Sequence, residues 1–255
     1  MAFLLSASVL MGSASADEGL ILHYTFDKPT EAVATDESGN GLHGKIIGAK
    51  YVKLEDGYAL QLNGTNDYLE VPQSPVTDNL GKPGQSYSIA LWFKTKGKEN
   101  QSLAEKWIGD PYPWAFRGPD TSGLIQFALY DGKNNPTAQI RDGSLTNEQW
   151  HYAVGIRDVQ DRVIQLYIDG ELKSRVADPV GDVSNLGKLA FGACLRAIKP
   201  DIYDPCLFFE GQLDDIGIYN RVLSPQEVKE HFASEAEKKE TVRETKEGPA
   251  IAPGR

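Results

Sequence analysis

The sequence predicts an all-β protein, a two-sheet antiparallel sandwich with one short C-terminal helix. Three observations carry this. Short strand-like runs recur from Leu20 to about Tyr219, separated by clusters of Gly, Asn, Asp and Pro. A helical period appears only near the end. At 255 residues, 40% hydrophobic and 24% charged, the chain has enough apolar material for one large β domain with a sizeable core.

The elements follow in order. The opening residues, MAFLLSASVLMGSASA, read as a signal peptide over residues 1–16: an apolar run from Ala2 to Met11, then small residues ending Ala14-Ser15-Ala16, although without a basic start. The run is too short to span a bilayer. The mature chain is therefore expected to begin near Asp17 and to be secreted. LILHYTF, from Leu20, is the first strand. Beside it lies TDESGNGLHG, Thr35 to Gly44, too polar and turn-rich for a core. Strand runs then come at YALQL, DYLEV, YSIALWFKT, LIQFALYD, HYAVGIRD, VIQLYID, KLAFGA and DDIGIYN. Asp169-Gly170, between VIQLYI and ELKS, is a two-residue hairpin turn signal. The segment EKWIGDPYPWAFRGP, with three prolines, reads as a loop. From Ser224 the chain turns helical: Ser224 as N-cap, Pro225 at N1 and Glu227 at N3 form a capping box, and Val228, His231 and Phe232 supply an apolar stripe. The domain is assigned to residues 17–233, and residues 234–255 to a charged, disordered tail.

The charge and the cysteines narrow the function classes. With 26 basic and 36 acidic side chains the net charge is −10, which repels phosphate backbones and anionic membranes. Nucleic acid and membrane insertion are not expected; neutral ligands and cations suit the surface better. Cys194 and Cys206 bracket the polar segment LRAIKPDIYDP and fit a disulfide in an oxidising compartment, with paired free thiols as the alternative. Two thiols are too few for a structural zinc site.

ILHYTFDKPTEAVATDESGNGLHGKI resembles the opening of the laminin-G-like (LamG) jelly rolls of the concanavalin A-like lectin/glucanase superfamily. The similarity runs on through ALQLNGTNDYLEVP, YSIALWFKTK, NEQWHYAVGIRD, IQLYIDGELKS and FFEGQLDDIGIYNRVLSPQEVKEHF, about Gly19 to Phe232. The resemblance implies a jelly roll, commonly with structural calcium. By that resemblance the ligands are the side chains of Asp27 and Asp214 with the carbonyls of Asn40 and His43. Calcium takes six to eight oxygens, and a Gly/Asn-rich loop can turn its carbonyls inward to supply them. Read as a turn instead, the same loop has Asp36 capping ESGN and Asn40 as the left-handed residue. The two readings are compatible.

Superfamily hydrolases carry a Glu-x-Asp-x-(x)-Glu pattern, which this sequence does not contain. The nearest approach is EGQLD, where Glu210 and Asp214 share a strand face and fall within reach of a glycosidase pair. No catalytic residue is assigned. By the same resemblance, Trp92 and Trp150 match the family's internal strand positions and are placed in the core. Trp107, Tyr112, Trp114 and Arg117, in the proline-rich segment with Asp110 and Lys106, form the candidate ligand surface, set against a satellite cluster covering the sandwich rim. A second candidate surface is the cysteine-bracketed loop with Arg196, Lys199, Asp201 and Tyr203. The expected function is a secreted, non-catalytic module that binds carbohydrate and is stabilised by calcium. The alternatives are a glycoside hydrolase or polysaccharide lyase with an atypical site, or a protein-binding adhesion domain.

Overall fold

A computed structural model describes residues 18–107, 112–199 and 202–244. The signal-peptide assignment, Asp110, Asp201 and residues 245–255 lie outside the described residues. In chain order the strands are β1 (Leu20–Tyr24), β2 (Val33–Ala34), β3 (Gly44–Ile47), β4 (Lys50–Lys53), β5 (Tyr58–Asn63) and β6 (Tyr68–Val71). A one-turn helix, α1 (Pro75–Asp78), precedes β7 (Tyr87–Lys94), β8 (Ser102–Lys106), β9 (Tyr112–Arg117), β10 (Leu124–Tyr130) and β11 (Thr137–Arg141). Then come β12 (His151–Asp158), β13 (Val163–Ile168), β14 (Glu171–Ala177), β15 (Leu189–Phe191), β16 (Cys194–Lys199), β17 (Ile202–Cys206), β18 (Glu210–Tyr219) and α2 (Pro225–Glu244).

These strands make the expected sandwich. The first sheet runs β14-β13-β12-β7-β18-β5-β4, with β1 also on β18; the second runs β11-β10-β9-β8-β15-β6-β3-β2; β16 and β17 form a separate ribbon. The ten-residue β18 is the organising strand. Its first half pairs with β5, Glu210 opposite Asn63, and its second half with β1, Tyr219 opposite Leu20. A bulge between Asp214 and Gly217, with Asp215 at φ 44°, makes this change of partner possible. The first and last strands are therefore neighbours.

The core lies between the sheets and includes Leu22, Tyr24, Leu60, Leu91, Phe93, Phe116, Phe127 and Leu213. A second apolar cluster lies on the outer face of the first sheet. In β7, Ile89, Leu91 and Phe93 point into the sandwich, whereas Ala90 and Trp92 belong to this outer cluster with Tyr152, Tyr219 and Val228. That double burial explains the near-continuous apolar run of β7. Helix α2 is the lid on this face. Phe232 stacks on Trp92 at 5.6 Å between ring centroids, and His231 meets Tyr219 at 6.0 Å. The helix opens with the expected capping box: the Glu227 N–H donates to Ser224 Oγ at 3.2 Å, and the Ser224 N–H donates to the Glu227 carboxylate at 2.8 Å. Its apolar stripe continues to Ala236, so the helix runs to Glu244, through part of the stretch assigned to the tail. Among the described residues no helix is long and apolar enough to cross a membrane.

The proline-rich segment differs from its reading as a loop. Its described parts are the ends of β8 and β9, inside the second sheet. Pro113 is tolerated there because the pairing of β9 with β10 shifts register at that point, from Ala115 opposite Ala128 to Tyr112 opposite Tyr130. Its carbonyl accepts a 2.5 Å hydrogen bond from the Tyr87 hydroxyl.

Candidate functional site

The polar knot beside β1 is built around Asp36. This carboxylate, 5% exposed, accepts hydrogen bonds from the backbone N–H groups of His23 (3.0 Å), Ser38 (3.0 Å) and Leu42 (2.9 Å), and from the Ser38 hydroxyl (2.9 Å). Burial alone raises its pKa, but these donors outweigh it and hold the carboxyl below its ordinary value. The loop side chains close over it. Asn40 donates to the Ile21 carbonyl at 3.2 Å, and His43 Nδ1 accepts from the Asp36 N–H at 3.1 Å. Gly44 ends the knot where a Cβ would lie 2.6 Å from Leu69 and 3.0 Å from the Tyr24 hydroxyl. Asp36 caps the turn as read, but the left-handed residues are Gly39 (φ 86°) and Gly41 (φ 69°) on either side of Asn40, not Asn40 itself.

Asp27 and Asp214 meet in a cavity of about 220 Å³ at the junction of β1, β18 and α2, together with His23, Asp215 and Lys239. Asn40 and His43 do not line it. Asp27 accepts from the Tyr58 N–H at 3.1 Å and sits against Gly57, where a Cβ would fall 1.9 Å from its Oδ1. Asp214 is buried, and its Oδ2 accepts from Lys239 Nζ at 2.5 Å. Burial pushes its carboxyl up to about 7 despite this lysine. Asp215 is bound to His23 Nε2 at 2.7 Å, which holds its carboxyl low although burial acts the other way. Among the described residues no group of three or more His, Cys, Asp or Glu side chains is arranged to hold a metal ion. As folded, the four residues do not fit one calcium site: two share a cavity in which Lys239 supplies the positive charge at Asp214, and the other two belong to the knot.

The four candidate ligand contacts are also separated. Trp114 is fully buried, 5.5 Å from Tyr87 within the sandwich core, and cannot stack on a ligand. It faces inward because it belongs to β9, not to a loop. Tyr112 packs on Tyr130 at 5.5 Å. Trp107 is half-buried, with its indole nitrogen unpartnered. Lys106 is a buried cation, bound to Asp78 at 2.8 Å and to the Gly187 carbonyl at 2.5 Å. Arg117 keeps an open side. Its Nε donates to Glu105 at 2.9 Å and its Nη2 makes a second contact to the same oxygen. Glu105 is 1% exposed, and burial raises its pKa against the pull of Arg117. Five N–H donors belong to a guanidinium, so some remain for the open cavity of about 180 Å³ that Arg117 lines with Asn100, Gln101, Asp120 and Gln126. The side-chain amides of Asn100 and Gln126 make no hydrogen bond among the described residues. Sequence reading missed these two because a free amide on a short loop (Asn100) or inside a strand (Gln126) carries no pattern.

Trp92 is buried as expected, but beneath α2 rather than between the sheets, and Trp150 is half-buried beside it. Cys194 and Cys206 face each other in register on the β16–β17 ribbon as free thiols, and burial pushes the Cys194 thiol up. The polar segment between them is thus a hairpin rather than an irregular loop. It carries Ile198 and Ile202 exposed towards its tip, and Tyr203 makes a cation–π contact of 4.9 Å with Lys188. Glu210 and Asp214 line different cavities. Four residues along a strand amount to roughly 13 Å, beyond the ~9.5 Å limit for a glycosidase pair.

Two antiparallel sheets wrapped around one core, with a polar cavity at a sheet end, define a lectin-type sandwich. The family model of the concanavalin A-like lectin/glucanases superfamily (Laminin_G_3) matches residues 63–229, and the chain belongs to that superfamily. The human pentraxin-related protein PTX3 is 21% identical over 159 residues, 60% of this chain and 40% of PTX3. Among solved structures, the binding domain of botulinum neurotoxin DC in complex with rat synaptotagmin II aligns with a TM-score of 0.67 at 14% identity, over 86% of this chain and 52% of that one. A structure titled for botulinum neurotoxin type C entry through two ganglioside molecules aligns with a TM-score of 0.65 at 14% identity, over 86% of this chain and 52% of that one. The chain thus spans about half or less of these relatives' lengths, and at these identities the structural likeness is one of fold.

Proposed function

We propose that the chain is a secreted, non-catalytic module that recognises carbohydrate at the cavity framed by Arg117, Asn100 and Gln126. The observation that carries this is the pairing of two unengaged amides with a guanidinium held in place by buried Glu105. Amides both donate and accept, as sugar hydroxyls do, and a fixed guanidinium adds directional donors without the cost of ordering a free side chain. The superfamily and the ganglioside named for one structural neighbour support a glycan over other neutral ligands. Fold alone does not set function, so the site carries the argument.

On a glycan array, wild type is expected to bind a defined subset and Gln126→Ala to lose at least about tenfold in affinity, equivalent to about 1.4 kcal/mol. Neither is expected to release reducing ends or unsaturated products from a polysaccharide panel. Sugar release by wild type, or no binding on the array, would overturn the reading.

On the same reading Cys194 and Cys206 meet an oxidising compartment, where we propose that the register-matched thiols pass two electrons and two protons to a disulfide-bearing oxidant, which is reduced to two thiols, and close a cross-strand disulfide. Intact mass and thiol titration of exported protein check this; two reactive thiols in the native, exported chain would refute it. A second reading, docking of a protein partner, rests on the exposed Ile198 and Ile202 of the same hairpin.

A further inference from the structure

Asp214 lies on the outer face of β18, opposite Trp92, and is only 6% exposed. A buried carboxylate needs a cation. Lys239, 9% exposed, supplies it: its ammonium lies 2.5 Å from Asp214 Oδ2, 4.7 Å from the centre of the Trp150 ring and 5.3 Å from that of Trp92. A carboxylate and two indole faces around one nitrogen make a cage for an ammonium, held by charge and by cation–π attraction together. The lysine comes from the second half of α2, ten residues past the end of the segment that matches the superfamily, at 229. Phe232, stacked on Trp92 two helical turns earlier, sets the angle at which the helix delivers it.

We propose that Lys239 is the built-in cation of the junction between the first and last strands, so that the extended α2 does with a side-chain ammonium what the family resemblance assigns to calcium. The helix is then a functional part of the domain. Its removal leaves a buried charge unbalanced, and its presence makes the Asp214 position independent of divalent ions.

A double-mutant cycle with a calcium titration tests this on the full-length chain. Lys239→Met and Asp214→Asn are each expected to lower the melting temperature by about 6 °C or more, with the double variant no lower than the worse single one. Lys238→Met, which removes a half-exposed lysine paired with Glu235, is expected to stay within about 2 °C of wild type. Calcium at about 10 mM, or chelator, is expected to leave wild type within about 1 °C, whereas a calcium site of ordinary extracellular affinity would raise it by about 3 °C or more at that concentration. Additive single effects, or no loss on Lys239→Met, overturn the inference. So does a calcium-dependent rise in wild type that Asp214→Asn abolishes. If the variants do not fold, the wild-type calcium titration decides alone.

Discussion

Replacing Arg157 by methionine is expected to lower the melting temperature by about 6–20 °C, the consequence of losing roughly 3–5 kcal/mol. Arg157 is the penultimate residue of β12 and is 2% exposed. Its Nε donates to Asp178 at 2.8 Å, Nη1 to the Gly81 carbonyl at 3.2 Å, and Nη2 to the carbonyls of Val180 and Gly181 at 2.8 and 2.9 Å. One guanidinium thus ties β12 to two separate connecting segments. Its loss leaves a buried carboxylate without a cation and the Val180 and Gly181 carbonyls without this donor, while Gly81 keeps the Val183 N–H at 3.0 Å. Thermal melting of Arg157→Met against Arg157→Met/Asp178→Asn separates the terms: the second change should restore part of the loss by removing the orphaned charge. A change below about 2 °C in the single variant would show that water or a neighbouring group takes over the arginine's contacts.

Asp36→Ala is the second large effect, on the order of 3–5 kcal/mol, because several backbone N–H groups lose a charged acceptor together. The His23 and Leu42 amides should exchange with solvent faster, since both donate to this carboxylate. In Asp36→Asn, one oxygen can still serve His23 and Ser38, but the new NH2 faces the Leu42 N–H; the damage should concentrate at Leu42. The pH dependence follows from the lowered carboxyl pKa in the folded chain. The stabilisation is fully present above the unfolded value and fades as acid protonates the folded form. Asp36→Asn should therefore flatten the fall in stability below about pH 4. An unchanged acid limb, or unchanged exchange at Leu42, would remove Asp36 from the centre of the knot.

Local rules made much of the fold legible. The Asp169-Gly170 turn is one case: both residues have positive φ, 51° and 79°, as a two-residue hairpin turn requires. The Ser224–Glu227 box is another, since both of its bonds form within three residues. What the sequence hid depends on pairings between distant segments. β9 was obscured by Pro113, which a register shift against β10 accommodates. Arg157 near a strand end has the pattern of a solvent-facing charge, and its Asp178 partner lies 21 residues away. Asp214 and Lys239 are 25 residues apart, on a strand and a helix whose docking no short motif announces. The resemblance singled out Asp27 and Asp214 and they do share a cavity, but which cation balances Asp214 is decided by how far α2 extends.

Chemical-shift mapping of the isotope-labelled chain with an oligosaccharide selected on the array is the most direct test of carbohydrate recognition at the Arg117 cavity. The expected result is a saturable set of shifts centred on the Asn100 and Gln126 side-chain amides and the Arg117 Nε–H, weakened in Gln126→Ala. Shifts confined to the Cys194–Cys206 hairpin, or none at millimolar sugar, would contradict it.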